Sequence, residues 1–487
     1  MHTMNRRHFL SVATVAAAVA ITRPTWAMEG ANAAPSLTIH TDKAVAHIPA
    51  DFTGLSYESS QLVHPGFFSG DNAALVQFFR TLGNDGVLRI GGNMSEFTAW
   101  SPIDLPAATA DADGTEGPDP GKGTTRTFVI TPLAIRNLNT FLLATNWKLI
   151  YGLNLARGTV ESAADEAAYV AKICGPRLLA FQFGNEPDLF KHNGDPKDRW
   201  KYPEYIAKWQ TFKASVLERV PNAPLAGPDT SFKPDWVGTF AKDTKGSVGL
   251  LTAHYYAEGP PTDPRMTIDY LLNQQAKFMP NVVRAVDLAR EAGLPYRMSE
   301  GNTCYNAGKK GVSDTFASAL WVGDFLSQIA TIGGTGVNLH GGGNGLYTPI
   351  AGSPKEGFSA RPEYYGLLFV RPLLGATMLA SELQKENLNV TAYAMQKKGK
   401  ITVLAFNKGN QSTILTVHLP TGKAKNSASV LRLTAPAVDA TTGVIFGGTA
   451  VADNGAWKPG SSEVLHGSDG TFQVSLPAFS AASVSLD

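Results

Sequence analysis

A chain of 487 residues, with 43% hydrophobic and 17% charged residues, is long enough for one large globular domain and a smaller one. Its formal net charge of +1 excludes a broad electrostatic field, so neither nucleic acid nor an anionic membrane surface is expected as a partner. We therefore expect the function to depend on a localised site.

The first 34 residues have the pattern of an export signal. Arg6 and Arg7 precede an apolar run over residues 9–21, and the sequence Thr-Trp-Ala, which ends in a small residue, follows at residues 25–27. The apolar run is short and rich in alanine, so it is a poor membrane span. The paired arginines resemble a twin-arginine signal, and an ordinary secretory signal is the alternative. Either signal predicts a periplasmic or secreted mature protein without a membrane anchor.

Residues 51–365 contain eight short apolar or β-branched runs, most of them separated by helical patterns. In one such pattern Tyr205, Trp209, Phe212 and Val216 lie on a single stripe. Eight strands that alternate with helices predict an α/β protein with a (β/α)8 TIM barrel rather than an open doubly wound sheet. The predicted strands are residues 52–58, 87–93, 148–155, 178–186, 224–230, 249–256, 295–302 and 336–342.

Nearly every predicted strand ends in polar or glycine residues. One polar strand end would indicate only a turn. In a (β/α)8 barrel, however, the carboxyl ends of all strands face one mouth, where the connecting loops build the active site. The polar strand ends are therefore candidates for that site. They are Glu58, Asn93, Asn154, Glu186, Asp229, Tyr256, Glu300 and His340.

The pattern changes after residue 365. Residues 366–487 contain alternating or β-branched runs with turn residues between them, which predicts a C-terminal antiparallel β-sandwich. Residues 35–50 contain a further strand pattern, which we expect to add to that sandwich. The Gly-, Asp- and Pro-rich residues 108–124 are predicted to form a long loop.

Two glutamates at strand ends can act as a pair. Glu186 closes the fourth predicted strand and Glu300 closes the seventh, so their carboxylates can converge across the mouth. Paired carboxylates across a cleft perform glycoside hydrolysis: one protonates the leaving oxygen, and the other attacks the anomeric carbon or directs water. A strand-end carboxylate that pairs with a lysine is the structural alternative for Glu186.

Neighbouring residues suit these two roles. Arg89 and Tyr256 are suitable donors to keep Glu300 ionised, and Asn185 can orient the sugar hydroxyl next to the reacting carbon. Arg89 could instead be a structural cation that pairs across the barrel. His254 could equally be a core histidine or a site residue, so we assign it no catalytic role.

Five motifs at or near the strand ends occur in a fixed order: DFTGLSYES (51–59), RIGGN (89–93), FQFGNEPDLF (181–190), HYY (254–256) and RMSEGNTCYNAG (297–308). This ordered set resembles glycoside hydrolase family 79, a clan A family that holds β-glucuronidases and heparanases. The resemblance implies a retaining mechanism in which Glu186 is the acid/base, Glu300 is the nucleophile and Tyr256 hydrogen-bonds the nucleophile.

The resemblance also implies where a uronic acid binds. Glu58, Tyr305 and Tyr347 match positions that contact glucuronate in bacterial β-glucuronidases of the family. Tyrosine hydroxyls donate to a sugar carboxylate without adding a charge, and Glu58 can accept from a sugar hydroxyl. The predicted substrate-binding set is Glu58, Asn93, Asn185, Tyr256, Tyr305 and Tyr347, with Arg89 as a supporting residue.

Three functions are compatible with these residues. The first is an exo-acting retaining β-glucuronidase that removes terminal glucuronic acid from a glycan or glycoside. The second uses the same mechanism inside heparan-type chains, which would require a long cleft lined by basic side chains. The third, an inert carbohydrate-binding barrel, would lack one catalytic carboxylate, yet both are present. The sequence has no metal-ligand cluster or nucleotide-binding loop, so we expect no cofactor.

Overall fold

The computed structural model describes most of the chain from residue 34 onwards. The described residues are 34–64, 66–105, 127–195, 197–231, 233–273, 275–342, 345–420, 426–460 and 462–486. Apart from residue 34, the predicted export signal lies outside the described residues, and so does the predicted loop at residues 108–124.

Eight parallel strands close into a barrel, which confirms the predicted (β/α)8 fold. The strands as far as residue 360 are β1 (Ser36–His47), β2 (Thr53–Glu58), β3 (Val87–Gly91), β4 (Thr98–Trp100), β5 (Phe128–Ile130), β6 (Lys148–Leu153), β7 (Leu178–Phe183), β8 (Leu225–Thr230), β9 (Leu250–Glu258), β10 (Tyr296–Cys304), β11 (Gly336–Gly341), β12 (Ile350–Ser353) and β13 (Gly357–Ala360). The barrel runs β2-β3-β6-β7-β8-β9-β10-β11, and β11 pairs with β2. The pairs β4–β5 and β12–β13 lie outside it.

Helices cover the outside of the barrel. In α4 the predicted stripe of Tyr205, Trp209, Phe212 and Val216 is buried, because these four side chains share one face of the helix. None of the helices in the described ranges combines the length and apolar composition that a bilayer crossing requires. The helices are α1 (Ala73–Leu82), α2 (Pro132–Thr145), α3 (Val160–Cys174), α4 (Tyr202–Arg219), α5 (Pro234–Asp243), α6 (Ile268–Asn273), α7 (Gln275–Glu291), α8 (Phe316–Thr331) and α9 (Pro362–Phe369).

The barrel interior changes from apolar to polar toward the carboxyl ends of the strands. Side chains two residues apart on a strand face the same side, so Arg89, Gln182 and Thr252 follow inward-facing apolar residues of the same strands. Gln182 Nε2 donates to Thr252 Oγ1 at 2.9 Å, inside the barrel. The interior is therefore apolar at one end and carries buried polar groups beneath the mouth. The apolar cluster is Val87, Ile150, Ala180, Ala226 and Leu250.

The C-terminal region is a ten-stranded, mainly antiparallel sheet, which confirms the predicted C-terminal β fold. Its strands after α9 are β14 (Thr377–Gln384), β15 (Val390–Lys397), β16 (Lys400–Asn407), β17 (Thr413–His418), β18 (Ser427–Thr434), β19 (Ile445–Phe446), β20 (Glu463–His466), β21 (Thr471–Leu476) and β22 (Ser480–Leu486). Strand β1 pairs antiparallel with β14 and parallel with β17, and so adds one parallel pair to the sheet. Side chains from both halves of the sheet, such as Val417 and Val430, share one apolar core. The predicted boundary between residues 365 and 366 falls inside α9.

A buried ion pair joins the barrel to the sheet. Asp324 of α8 is fully buried, and its Oδ2 lies 2.5 Å from Nζ of Lys408, which follows β16. Thr391 and Tyr393 of β15 donate their hydroxyls to Asp324 Oδ1 at 2.7 and 2.5 Å. Every side-chain oxygen of Asp324 therefore has a partner from the sheet. We call Asp324, Thr391, Tyr393 and Lys408 the docking cluster.

Candidate active site

Glu186 and Glu300 meet at the mouth of the barrel. Glu186 lies just beyond β7, and Glu300 lies within β10. One carboxylate oxygen of Glu186 lies within 4.8 Å of one carboxylate oxygen of Glu300. Carboxyl groups are about 5–5.5 Å apart in retaining glycosidases and about 6.5–9.5 Å apart in inverting ones. An oxygen–oxygen distance below 4.8 Å fits the shorter of these two ranges, so it favours direct attack by one carboxylate.

Irregular backbone aims both carboxylates into the mouth. Glu186 has a φ of 50°, a left-handed conformation that is uncommon for a residue with a β-carbon. Its N–H donates to the carbonyl of Asp229 at 3.0 Å, which holds this conformation. The pairing of β10 with β9 shifts register between Met298 and Glu300, as in a β-bulge. Consequently Ser299 and Glu300, although adjacent, both contact residues of the mouth.

Donors and cations surround the Glu300 carboxylate. Arg89 Nη1 donates to its Oε2 at 2.6 Å, and the Tyr256 hydroxyl donates to its Oε1 at 2.8 Å. His254 Nδ1 and His340 Nδ1 each lie 3.8 Å from Oε2. Burial alone would raise the pKa of Glu300, but the two histidines, Arg89 and the Tyr256 hydrogen bond outweigh it and lower the pKa to about 2. Glu300 is therefore held ionised, as a nucleophile requires.

Glu186 has the opposite environment. Its side chain is only 12% exposed, and its Oε1 lies 3.0 Å from His254 Nδ1. Burial raises the pKa of Glu186 and the Glu300 charge adds to this, whereas the hydrogen bond and the charge of His254 oppose it, and the net shift is upward. Two neighbouring carboxyl groups whose pKa values are pushed apart can serve as acid and nucleophile.

Arg89 connects the floor of the mouth. Its Nη2 donates to Asn185 Oδ1 and to Asp229 Oδ2, both at 2.7 Å, and its Nε donates to Gln182 Oε1 at 3.2 Å. Burial disfavours the charge, but Asp229 and Glu300 outweigh that effect and raise the pKa of Arg89. Arg89 therefore fits both hypotheses made from the sequence. It pairs with carboxylates across the barrel, and it donates to Glu300.

His254 lies between three carboxylates. Its Nδ1 faces Glu186 and Glu300, and its Nε2 lies 3.1 Å from Asp229 Oδ1, although the angle departs from that of a good hydrogen bond. Burial disfavours the imidazolium, but Asp229, Glu300 and Glu186 raise the pKa of His254 to about 10. We call Arg89, Glu186, Asp229, His254 and Glu300 the mouth cluster.

Three predicted substrate-binding residues lie beside the mouth cluster. The Asn185 amide accepts from Arg89 and donates to Asn93 Oδ1 at 3.1 Å, and Asn93 itself is exposed. Glu58, at the end of β2, accepts from the Met94 N–H at 2.8 Å and is 17% exposed on its side chain. Asn93 and Glu58 keep part of their surface accessible to a ligand, whereas Asn185 is buried and held by its hydrogen bonds.

The predicted tyrosines converge on one side of the mouth. The ring of Tyr256 lies 6.3 Å from that of Tyr305 and 6.2 Å from that of Tyr347. The ring of His340 lies 6.1 Å from that of Tyr347. The structure thus brings every predicted site residue to the carboxyl end of the barrel.

Sequence reasoning assigned no role to His254, Asp229 or His340, which the structure places in contact with the glutamates. His340 Nε2 lies 3.6 Å from Glu58, and its Nδ1 lies 3.8 Å from Glu300. The sequence could have indicated His254, because it lies two residues before Tyr256 on the same strand and its side chain therefore faces the same side of the barrel. Asp229 and His340 were recognised as polar strand ends, but their partners follow only from the folded chain.

The close approach of three side chains in the mouth is explained without a metal ion. Ligand atoms of Glu186, His254 and Glu300 lie within 4.8 Å of one another. The hydrogen bond between His254 and Glu186 already accounts for the approach of two of these groups. Hydrolysis by two carboxylates requires no metal, so the chemistry below is derived from the side chains alone.

A barrel with two such carboxylates at its mouth defines a glycoside hydrolase of the two-carboxylate type. The sequence model of the N-terminal domain of glycosyl hydrolase family 79 matches residues 133–327, and that of the family's C-terminal β domain matches residues 388–482. Together these matches cover more than half of the chain. The chain belongs to glycoside hydrolase family 79, which confirms the resemblance seen in the sequence.

Two relatives are named β-glucuronidases. A β-glucuronidase from Aspergillus niger is 25% identical, over 90% of this chain and 88% of that protein. A β-glucuronidase from Neurospora crassa is 28% identical, over 59% of this chain and 56% of that protein. The structure of a 4-O-α-L-rhamnosyl-β-D-glucuronidase from Fusarium oxysporum superposes with a TM-score of 0.74 at 18% identity, covering 92% of this chain and 100% of that one. This structural similarity shows that the chain and the Fusarium oxysporum enzyme share a fold.

Proposed function

We propose that this family 79 enzyme is a retaining exo-β-glucuronidase that removes terminal β-linked glucuronic acid from a glycan or glycoside. The observation that carries the proposal is the close Glu186–Glu300 pair, whose pKa values are shifted in opposite directions. The relatives that are named β-glucuronidases support the choice of sugar.

In the first step Glu186 is the general acid and Glu300 the nucleophile. Glu186 transfers its proton to the glycosidic oxygen while a Glu300 oxygen attacks the anomeric carbon. The bond to the aglycone breaks, the aglycone leaves as an alcohol, and the sugar remains as an ester of Glu300. Tyr256 and Arg89, which donate to opposite oxygens of Glu300, hold the attacking carboxylate in place.

In the second step Glu186 acts as the base. Its carboxylate takes a proton from a water molecule, whose oxygen attacks the anomeric carbon and releases Glu300. Glu186 is protonated again, and two inversions leave the configuration of the sugar unchanged. Loss of the Glu300 charge in the ester removes one cause of the raised Glu186 pKa, so Glu186 becomes a better base when it is needed.

Tyrosines support recognition of an acidic sugar. Tyr256 donates to Glu300, so we assign the sugar carboxylate to the hydroxyls of Tyr305 and Tyr347. Lys309, in the loop after β10, donates its Nζ to the carbonyl of Asp263 at 2.7 Å. We therefore assign Lys309 to anchoring that loop and not to binding the sugar carboxylate. Glu58 is suited to accept from a sugar hydroxyl, because two ionised carboxylates would repel each other.

Substrate assays test the proposal directly. We expect the purified protein to hydrolyse an aryl β-glucuronide and to leave the size distribution of heparan sulfate unchanged. Rapid shortening of heparan sulfate would instead indicate internal cleavage. Hydrolysis of the matched aryl β-glucoside or β-xyloside without hydrolysis of the glucuronide would refute the uronic acid assignment.

Leaving-group dependence tests the role of Glu186. Glu186→Gln should lose far more activity on a poorly activated aryl glycoside than on a dinitrophenyl glycoside, because only the poor leaving group needs a proton. An equal loss on both substrates would contradict the acid/base assignment.

We also propose that the protein is exported, through a twin-arginine signal. The support is the pair Arg6 and Arg7 ahead of the apolar run at residues 9–21. We expect replacement of both arginines by lysine to retain the enzyme in the cytoplasm of an expressing bacterium, as measured by fractionation. Undiminished export of this variant would favour an ordinary secretory signal.

A further inference from the structure

The charge state of His254 decides where the catalytic proton of Glu186 can lie. His254 Nδ1 is 3.0 Å from Glu186 Oε1. If His254 is an imidazolium, its Nδ1–H donates to Oε1, and the Glu186 proton remains on Oε2, free for the leaving group. If His254 is neutral with its proton on Nε2, the bare Nδ1 accepts the Glu186 proton and withholds it from the substrate.

Asp229 is positioned to favour the imidazolium. Its Oδ1 lies 3.1 Å from His254 Nε2, on the side of the ring opposite Glu186. Asp229 is 1% exposed, so little water screens the attraction between its charge and the His254 ring. A neighbouring anion stabilises the protonated form of a histidine and also keeps a proton on the nearer nitrogen.

The barrel fixes Asp229 in this place as an anion. Arg89 Nη2 donates to its Oδ2 at 2.7 Å, and Gln182 Nε2 donates to its Oδ1 at 2.6 Å. Ser299 also donates its hydroxyl to Oδ1. Asp229 has a φ of 61°, and β8 shifts register against β9 between Pro228 and Thr230, as at a bulge. Such irregularities re-aim side chains, here toward the floor of the mouth.

We propose that Asp229 is a positioning residue for the acid/base step: through His254 it keeps the Glu186 proton on the oxygen that faces the leaving group. The inference rests on the proposed function, and specifically on Glu186 as the acid/base. Asp229 touches no reacting atom. Its effect passes through the imidazole ring, whose two nitrogens contact the two carboxylates on opposite sides.

Other ionisable groups surround this chain of contacts. Glu300 lies 3.8 Å from His254 Nδ1, and its charge changes when the sugar ester forms, so the ring also responds to the reaction stage. On the covering helices α5 and α7, Asp235 and Arg284 pair with each other at the exterior. The groups facing His254 or its carboxylate partners are Arg89 on β3, Glu186 and Asp188 after β7, Tyr205 on α4, Asp229 on β8, Tyr256 on β9, Tyr296 and Glu300 on β10, and His340 on β11.

The test compares Asp229→Asn with the wild type on two aryl β-glucuronides, one with a dinitrophenol and one with an unactivated phenol as the leaving group. We expect kcat/KM to fall about 100-fold for the poor leaving group and only a few-fold for the good one. Without the Asp229 charge, His254 loses its proton at lower pH. The alkaline limb of the kcat/KM profile for the poor leaving group should therefore move to lower pH.

A second route exists from Asp229 to the chemistry, through Arg89 and the nucleophile Glu300. That route predicts equal losses on both leaving groups, because the nucleophile is needed for either substrate. Equal losses, or an unmoved alkaline limb, would overturn the proposal. Ser299→Ala is the matched control: it removes a hydrogen bond to the same oxygen of Asp229 and no charge, so the limb should stay in place.

A double-mutant cycle keeps the proposal testable if Asp229→Asn folds poorly. In His254→Asn an amide N–H can still donate to Glu186, but no imidazole is left whose protonation Asp229 could favour. Adding Asp229→Asn to this variant should then leave the ratio of kcat/KM values for the two leaving groups unchanged. A further increase of that ratio would refute the route through His254. If the wild type cleaves a different aryl glycoside, the glucuronidase assignment fails, and the same comparison on that glycoside still decides the role of Asp229.

Discussion

The mouth cluster and the docking cluster both bury ion pairs, but they use carboxylates differently. The docking cluster has a single carboxylate, Asp324, whose oxygens are all bonded to the sheet by Lys408, Thr391 and Tyr393. The mouth cluster has three carboxylates, which share the side chains of Arg89 and His254. Its Glu186 remains partly exposed.

The difference shows how burial serves two purposes. A carboxylate with a complete set of partners can remain ionised in the interior and define how two domains fit together. When buried carboxylates lie close together, the one with the weaker set of partners is pushed toward its protonated form, and a proton becomes available for chemistry. We therefore expect substitutions in the mouth cluster to change rates, whatever they do to stability, and substitutions in the docking cluster to change stability alone.

Glu300→Gln should have the largest effect in the mouth cluster. Loss of the nucleophile should lower kcat/KM for good and poor leaving groups alike, on the order of 10⁴-fold or more. Stability is not the readout here, because the lowered pKa of Glu300 means that its ionised form also stabilises the fold at neutral pH. A loss confined to the poor leaving group would contradict the role of Glu300 as the nucleophile.

Lys408→Met should have the largest effect in the docking cluster. It leaves Asp324, which is fully buried, without its cation, and should lower the free energy of unfolding by about 3–5 kcal/mol. The value of kcat/KM should be unchanged at temperatures where the variant is folded. Denaturant unfolding measures the first effect, and aryl glycoside hydrolysis measures the second.

Adding Asp324→Asn to Lys408→Met provides the control. The neutral amide no longer needs a cation, and it can still accept from Thr391 and Tyr393, so most of the lost stability should return. A double variant less stable than Lys408→Met would contradict the view that an uncompensated charge causes the loss.

The sequence was sufficient for the barrel because its signals are local. Each strand is a short apolar run, and stripes such as Tyr205 and Trp209 on α4 mark helical faces. The pairing of β1 with both β14 and β17 was not predictable in detail, because strand order depends on contacts between residues hundreds of positions apart. The predicted boundary between residues 365 and 366 falls inside α9, whose residues are all buried and give no compositional sign of where one domain ends.

The site was predictable where a strand end and a motif coincide, as at Glu186 and Glu300. The contacts of Asp229 were not predictable, because the direction of its side chain depends on a bulge and a left-handed φ, which no residue pattern predicts. His254 was ambiguous because a histidine in a strand suits a core or a site equally well. Only the positions of Glu186 and Asp229 on either side of its ring distinguish these alternatives.

The pH dependence of stability should reveal the charge of His254. Its pKa is raised to about 10 in the folded protein, against about 6.5 in the unfolded chain, by Asp229, Glu300 and Glu186 in opposition to burial. A raised pKa contributes stability that is present below pH 6.5 and is lost as the pH rises through about 10. The stability of the wild type relative to His254→Gln should therefore fall between pH 7 and pH 10, by an amount on the order of 3 kcal/mol. A difference that stays constant over this range would contradict a charged His254.

The smallest effects, and the closest comparison of the clusters, should come from Tyr256→Phe and Tyr393→Phe. Each removes one phenol that donates to a buried carboxylate, at 2.8 Å to Glu300 and at 2.5 Å to Asp324. A hydrogen bond to a charged group contributes about 1.5–3 kcal/mol. In Tyr256→Phe the loss should appear as a decrease of roughly 10- to 100-fold in kcat/KM, because the bond orients the nucleophile. In Tyr393→Phe it should appear in the free energy of unfolding while kcat/KM stays constant. If Tyr393→Phe slowed hydrolysis as much as Tyr256→Phe does, the division between a catalytic and a structural cluster would be wrong.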